Sequence, residues 1–127
     1  MPFRDAKTHF LDILESIEHI EMFLEGISLD SYRGDVKTKS AVERQMQIIT
    51  EAAYRLGDEA ETLCPGPDWK GLCGMGNILR HAYHRVDDKI VWDTVQVELP
   101  SLKAAVQKTL SGPRFQQSEF DENEDDR

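Results

Sequence analysis

Apolar residues recur at intervals of seven through the first segment: Phe3, Phe10, Ile17 and Leu24. A strand cannot use that spacing, because its side chains change face at every residue, whereas a helix returns to the same face after two turns. Ala6, Ile13, Leu14 and Ile20 fill the same stripe. The chain therefore opens with an amphipathic helix from about Arg4 to Leu24 that must bury one face, and Gly26 is its expected stop. A second helix is expected from about Asp35 to Leu56, with Val42, Met46, Ile49, Ala53 and Leu56 inward and Gly57 at its end. Ser40 and Glu43 have capping-box spacing, but they fall inside this helix, which begins earlier. Between the two, "ISLDSYRGD" reads as a loop with one short helical turn.

"CPGPDWK" breaks the pattern, because two prolines flank a glycine. Asp68 is placed to cap a third helix from Trp69 to about Tyr83, and Asp87 a fourth carrying Ile90, Val91, Thr94 and Val95. Pro100 either kinks that helix or starts a fifth with Leu102, Val106 and Leu110. No strand-like alternation and no internal repeat competes. The expectation is an all-α, up-and-down bundle of four to five helices over residues 1–112, one domain with one core. Residues 113–127, "PRFQQSEFDENEDDR", hold six acids and two bases, so −4 of the chain's net −9 sits there. Such a segment buries too little apolar surface to order itself, and it reads as a disordered acidic tail.

The charge excludes broad, nonspecific adhesion to nucleic acid. No apolar run approaches bilayer length, and "MPFRDAKTHF" lacks a secretory signal, so no membrane association and a cytoplasmic location are expected. Cys64 and Cys73 are a poor zinc signature and are expected as free thiols.

Chemistry concentrates in "GMGNILRHAYHRVD", residues 74–87. At about 100° per residue, Leu72, Met75, Leu79 and Ala82 fall together with Ile78 beside them as the core face. Asn77, Arg80, His81 and His84 fall together on the other side, and Gly76, Tyr83 and Trp69 share a strip at the edge. A plain reading exists: Arg and His near a helix C-terminus complement its dipole, at about 0.3–1 kcal/mol each. His81 and His84 are spaced for a metal, but no further ligand is aimed with them, so neither metal nor cofactor is expected. Glu51 is expected in a buried or inter-helix hydrogen bond, Tyr54 and Trp92 as core or interface aromatics, and Met22, Met46 and Met75 as packing. His9 and His19 are expected at the surface.

Read whole, "SAVERQMQIITEAAYRL" followed by "DWKGLCGMGNILRHAYHRVDDKIVWDTVQVELPSLKAAV" resembles the HepT-like branch of the HEPN superfamily. The resemblance runs in order over nearly all the chain to about Leu110. It rests on the "FLEG" ending of the first helix, the "AV" and "EA" of the second, and the Trp before the motif helix. Asn77, Leu79, His81, Tyr83, Val86, Asp87, Val91, Trp92, Leu99 and Pro100 complete it at the family's spacing. It implies a HEPN-like bundle and the toxin of a toxin–antitoxin pair: a homodimer that cleaves RNA without a metal, with His81 and Tyr83 in the His-x-Tyr positions. It further implies a minimal nucleotidyltransferase (MNT-type) antitoxin that silences the toxin by transferring AMP to Tyr83.

The residue types suit that chemistry. Metal-independent cleavage needs a base for the 2′-hydroxyl proton and an acid for the 5′-oxygen leaving group, and histidine performs either near neutrality. One His81 supplies one role; a twofold dimer supplies the second. Arg80, His84 and Arg85 are the candidates for binding RNA phosphate. The chain departs from the family at one place: Gly76 stands where the motif arginine is expected, immediately before Asn77. Arg80 or Arg85 substitutes, or the chain is an inactive relative kept for binding, or the glycine is an inactivating replacement. The last is favoured because a helix gains nothing else from glycine there, and it predicts that Gly76→Arg confers growth arrest. The alternative function is a non-catalytic helical module that binds a nucleotidyltransferase or a nucleotide.

Overall fold

The computed structural model describes residues 3–81 and 87–116. Every regular element among the described residues is a helix: α1 (Phe3–Leu24), α2 (Leu29–Gly34), α3 (Val36–Leu56), α4 (Asp58–Leu63), α5 (Trp69–His81), α6 (Asp88–Asp93) and α7 (Leu99–Ser111), with a π-helical turn at Thr94–Glu98 between the last two. In the core of this all-α bundle, α3 lies between α1 and α5, and α1 also packs on α7.

The seven-residue repeat of α1 buries Phe10, Ile17 and Leu24 together with Ala6, Ile13 and Ile20. They meet Val42, Met46, Ile49 and Ala53 of α3 and Leu102 and Val106 of α7 in one core cluster. Each fully buried aliphatic or aromatic side chain of this kind contributes about 1.5–3 kcal/mol, so the α1–α3 face dominates the bundle's stability. Gly57 ends α3 in the left-handed region, φ 57°, where a side chain would be strained.

Asp35 starts α3: its carboxylate accepts from the Thr38 hydroxyl at 2.6 Å and from the Thr38 N–H at 3.0 Å. These two bonds, hydroxyl first, hold the Asp35 carboxyl below its ordinary value of 3.8. A carboxyl lowered in the folded state stabilises the fold above its unfolded pKa and loses that contribution as pH falls through the folded one. Asp35→Ala should therefore lower Tm at neutral pH, and thermal melts taken progressively below pH 3.8 should show the gap to the unsubstituted chain closing.

Several expectations change on contact with the fold. Pro100 lies in the first turn of α7, so it starts a further helix as one of the two readings had it, although the helical run from Asp88 continues into it without a break. Proline lacks an N–H and crowds the preceding turn. The π-helical turn takes up the irregularity, with the Leu99 N–H reaching back to the Thr94 carbonyl. The packed chain also continues beyond residue 112: Phe115 is buried, edge-on to Phe10 with ring centroids 5.8 Å apart. The expected boundary of the acidic tail was set by charge, and one aromatic with a core partner outweighs it locally. Met22 is 61% exposed and Tyr54 67% exposed, so neither belongs to the core, whereas Met46 does. Trp92 is half-buried against Tyr32, centroids 5.5 Å apart. Cys64 and Cys73 are free thiols. Among the described residues no helix is long and apolar enough to cross a membrane.

Candidate functional site

Helix α5 is fixed at its start by two bonds. The Asp68 carboxylate accepts from the Gly71 N–H at 3.0 Å, the cap expected from the sequence. The Trp69 indole donates to the Cys64 carbonyl at 2.9 Å, which seats the buried ring under the preceding loop. From there Trp69, Leu72, Gly76 and Leu79 face inward at helical spacing.

Gly76 is thus buried, not at the edge of the helix as the wheel placed it. It marks the point where α5 crosses α3. A Cβ on Gly76 would stand 2.7 Å from both Cβ and Oγ1 of Thr50, itself buried, with its hydroxyl donating to the Gln47 carbonyl at 3.1 Å. Thr50 Cβ is fixed to the α3 backbone and cannot swing away, so glycine lets the two helices approach this closely. The premise that a helix gains nothing from glycine here is overturned: the gain lies in packing, and a helical wheel carries no information about the neighbour.

One turn later Arg80 folds back over the same spot. Its Nη1 lies 3.5 Å from the point a Gly76 Cβ would occupy. A guanidinium therefore rests where a side chain from position 76 would have started, supplied from position 80. Asn77, Arg80 and His81 are all exposed, so the structure brings these three to one solvent-facing side of α5, as expected. Ile78 is 50% exposed on that side rather than in the core. Tyr83, His84 and Arg85 lie outside the described residues.

Beside Arg80 runs a polar groove of about 490 Å³ between α3 and α5, lined by Ser40, Glu43, Arg44, Gln47, Thr50, Glu51, Leu79 and Arg80. Glu51 is exposed and its Oε1 accepts from Arg55 Nη2 at 2.9 Å, an i,i+4 surface pair in place of the buried or inter-helix bond expected of it. Burial, with Asp88 nearby, pushes the Glu43 carboxyl up, and the Lys39 ammonium pulls it back. Burial likewise raises the Cys73 thiol above its ordinary range against the opposing charge of Arg80, so Cys73 is a neutral packing group. His19 is half-buried against α3, its ring 3.4 Å from Gln45 and stacked on Phe23, and His9 is half-buried at a second small groove. Among the described residues no group of three His, Cys, Asp or Glu side chains is arranged to hold a metal ion. Thr50, Arg44 and Gln47 were not singled out in the sequence. The signal was there in the i, i+4, i+7, i+11 stripe of Ser40, Arg44, Gln47 and Glu51, but nothing in a stripe says which helix it faces.

A helical bundle carrying Asn, Arg and His on the open face of a helix after a Trp–Gly start is the class of protein these observations define. The family described as Ribonuclease HepT-like matches residues 13–109, and the chain belongs to that family. It is similar to the protein named "Probable ribonuclease HepT" of Thermococcus cleftensis, at 37% identity over 105 residues, covering 83% of this chain and 96% of that one. Two candidate RNases of Methanocaldococcus jannaschii are each 32% identical. One aligns over 101 residues, covering 80% of this chain and 84% of its own. The other aligns over 110 residues, covering 87% and 91%. No solved structure matches the chain.

Proposed function

We propose that this chain is an RNA endonuclease whose phosphate-binding arginine is Arg80, and that it acts as the toxin of an HEPN/MNT pair. The observation that carries the reading is the Arg80 guanidinium seated over Gly76, next in the chain to the exposed His81. Of the three accounts of Gly76, substitution by another arginine is the one this geometry favours.

In the reaction, one His81 imidazole accepts the 2′-hydroxyl proton as that oxygen attacks the adjacent phosphorus. The P–O5′ bond breaks, and an imidazolium protonates the departing 5′-oxygen. The products are a 2′,3′-cyclic phosphate and a 5′-hydroxyl. Arg80 binds the phosphate oxygens and opposes the charge that builds on them, and Asn77, one turn earlier on the same side, offers a neutral hydrogen bond. A second copy of the chain supplies the second imidazole, so the active unit is a homodimer. AMP carried on Tyr83 would place a further phosphate and a bulky base near this stripe, repelling and blocking RNA. That is how an MNT-type nucleotidyltransferase would silence the enzyme.

Expression of the chain alone should arrest growth and deplete cellular RNA. Co-expression with its cognate nucleotidyltransferase should restore growth and leave the chain heavier by one adenylyl group on Tyr83. Growth without arrest, with folded protein present, would sink the toxin reading; adenylate on another residue would remove the role of Tyr83.

A further inference from the structure

The groove beside Arg80 holds a second arginine that the reaction above does not use. Arg44 lies on the α3 wall, facing the α5 wall that carries Arg80, and Ser40 and Gln47 lie on its own stripe. Two of the neighbouring carboxylates are already engaged. Glu51 is held by Arg55 at 2.9 Å, and Lys39 by Asp88 at 3.2 Å. Glu43 also lines the groove, but toward Lys39 and Asp88. Neither Arg44 nor Arg80 forms a hydrogen bond or ion pair with another described residue. In a chain of net charge −9, where acids outnumber bases 24 to 15, two guanidinium groups with no partner among the described residues lie along one groove. The Glu51–Arg55 and Lys39–Asp88 pairs keep two nearby carboxylates away from them.

We infer that the α3–α5 groove seats the RNA strand next to the scissile phosphate, with Arg44 holding a neighbouring phosphate across from Arg80. This rests on the ribonuclease reading and adds a substrate-binding residue to it. Ser40 and Gln47 offer hydrogen bonds to sugar or base edges between the two phosphates. A single strand fits this arrangement better than a duplex, because the groove is a short cleft between two helices and the basic groups lie on facing walls. The overall negative charge repels RNA elsewhere on the surface, so the groove also selects the approach of the strand. Arg44 is exposed and is not a member of the hydrophobic core cluster, so its removal tests binding and not folding.

The test uses the full chain and a fluorescent single-stranded oligoribonucleotide that is 2′-O-methylated throughout, which removes the nucleophile and prevents cleavage. Anisotropy titrations over a salt series should show Arg44→Ala binding about tenfold more weakly at low salt, with a log–log salt slope shallower by about 0.7, one phosphate contact on a single strand. Arg44→Lys should recover most of the affinity, and Arg33→Ala, the same charge change on α2 away from the groove, should bind like the unsubstituted chain. The melting temperature of Arg44→Ala should be unchanged. Equal affinity and slope for Arg44→Ala and the unsubstituted chain would overturn the inference and leave the ribonuclease reading standing. A loss of affinity in Arg44→Ala for ATP, used as the competing probe, with none for RNA would overturn it equally. Failure of the unsubstituted chain to bind the oligonucleotide at any salt would remove both.

Discussion

Arg80→Ala is expected to slow RNA cleavage by about 100-fold or more, as loss of a donor to developing phosphate charge does elsewhere, while the melting temperature stays where it was. The two readouts separate because Arg80 is exposed and lies over the α3–α5 crossing without filling it. Arg80→Lys should recover only part of the rate: an ammonium keeps the charge but not the planar fork that meets two phosphate oxygens at once. A purely electrostatic steering role would instead be rescued by lysine and would fade with added salt. The measurement is single-turnover cleavage at saturating enzyme, with thermal melts alongside. Unaltered cleavage by Arg80→Ala would show that Arg80 does not replace the arginine missing from position 76.

Gly76→Arg, read from the sequence as a repair, should instead destabilise the fold by about 2 kcal/mol or more and leave activity no higher. The new Cβ would stand 2.7 Å from Thr50 Cβ and Oγ1, so α3 and α5 must separate before any arginine fits. The point where Arg80 now rests would be contested as well. Arginine's better helix propensity returns about 0.8 kcal/mol, which overpacking a buried crossing exceeds. Gly76→Ala isolates the steric part. Its cost should shrink in a Thr50→Gly background, where the obstructing Cβ is gone, and chemical denaturation of the four chains of that double-mutant cycle gives the coupling directly. Additive effects would mean that the crossing is looser than 2.7 Å implies. A folded, hyperactive Gly76→Arg chain would return the glycine to the status of an inactivating change.

The two long helices were legible because each repeats its apolar face over five or six turns, and local signals marked other ends: Gly57 stops α3, and Asp68 and Asp87 start α5 and α6 as their residue types suggested. The shared solvent face of Asn77, Arg80 and His81 was legible for the same reason, since helical angle alone decides it. What escaped depended on a neighbour. Gly76 is deep because α3 crosses there, Ile78 is half-exposed because no described helix covers it, and Phe115 is buried because Phe10 waits for it. Arg44 acquires its interest only once Glu51 is seen bonded to Arg55. None of these follows from periodicity within one segment. Family resemblance pointed to this helix and marked Gly76 as a loss, whereas the packing leaves no room there for a side chain beside Thr50.

The central claim is that the exposed arginine–histidine face of α5 cuts RNA by 2′-hydroxyl attack. It is tested most directly by incubating the purified chain and its His81→Ala variant with single-stranded RNA in chelator-treated buffer and identifying the ends of the fragments. The unsubstituted chain should yield 2′,3′-cyclic phosphate and 5′-hydroxyl ends, and His81→Ala, folded and equally stable, should leave the RNA intact. Fragments with 3′-hydroxyl ends, or equal cleavage by His81→Ala, would contradict it.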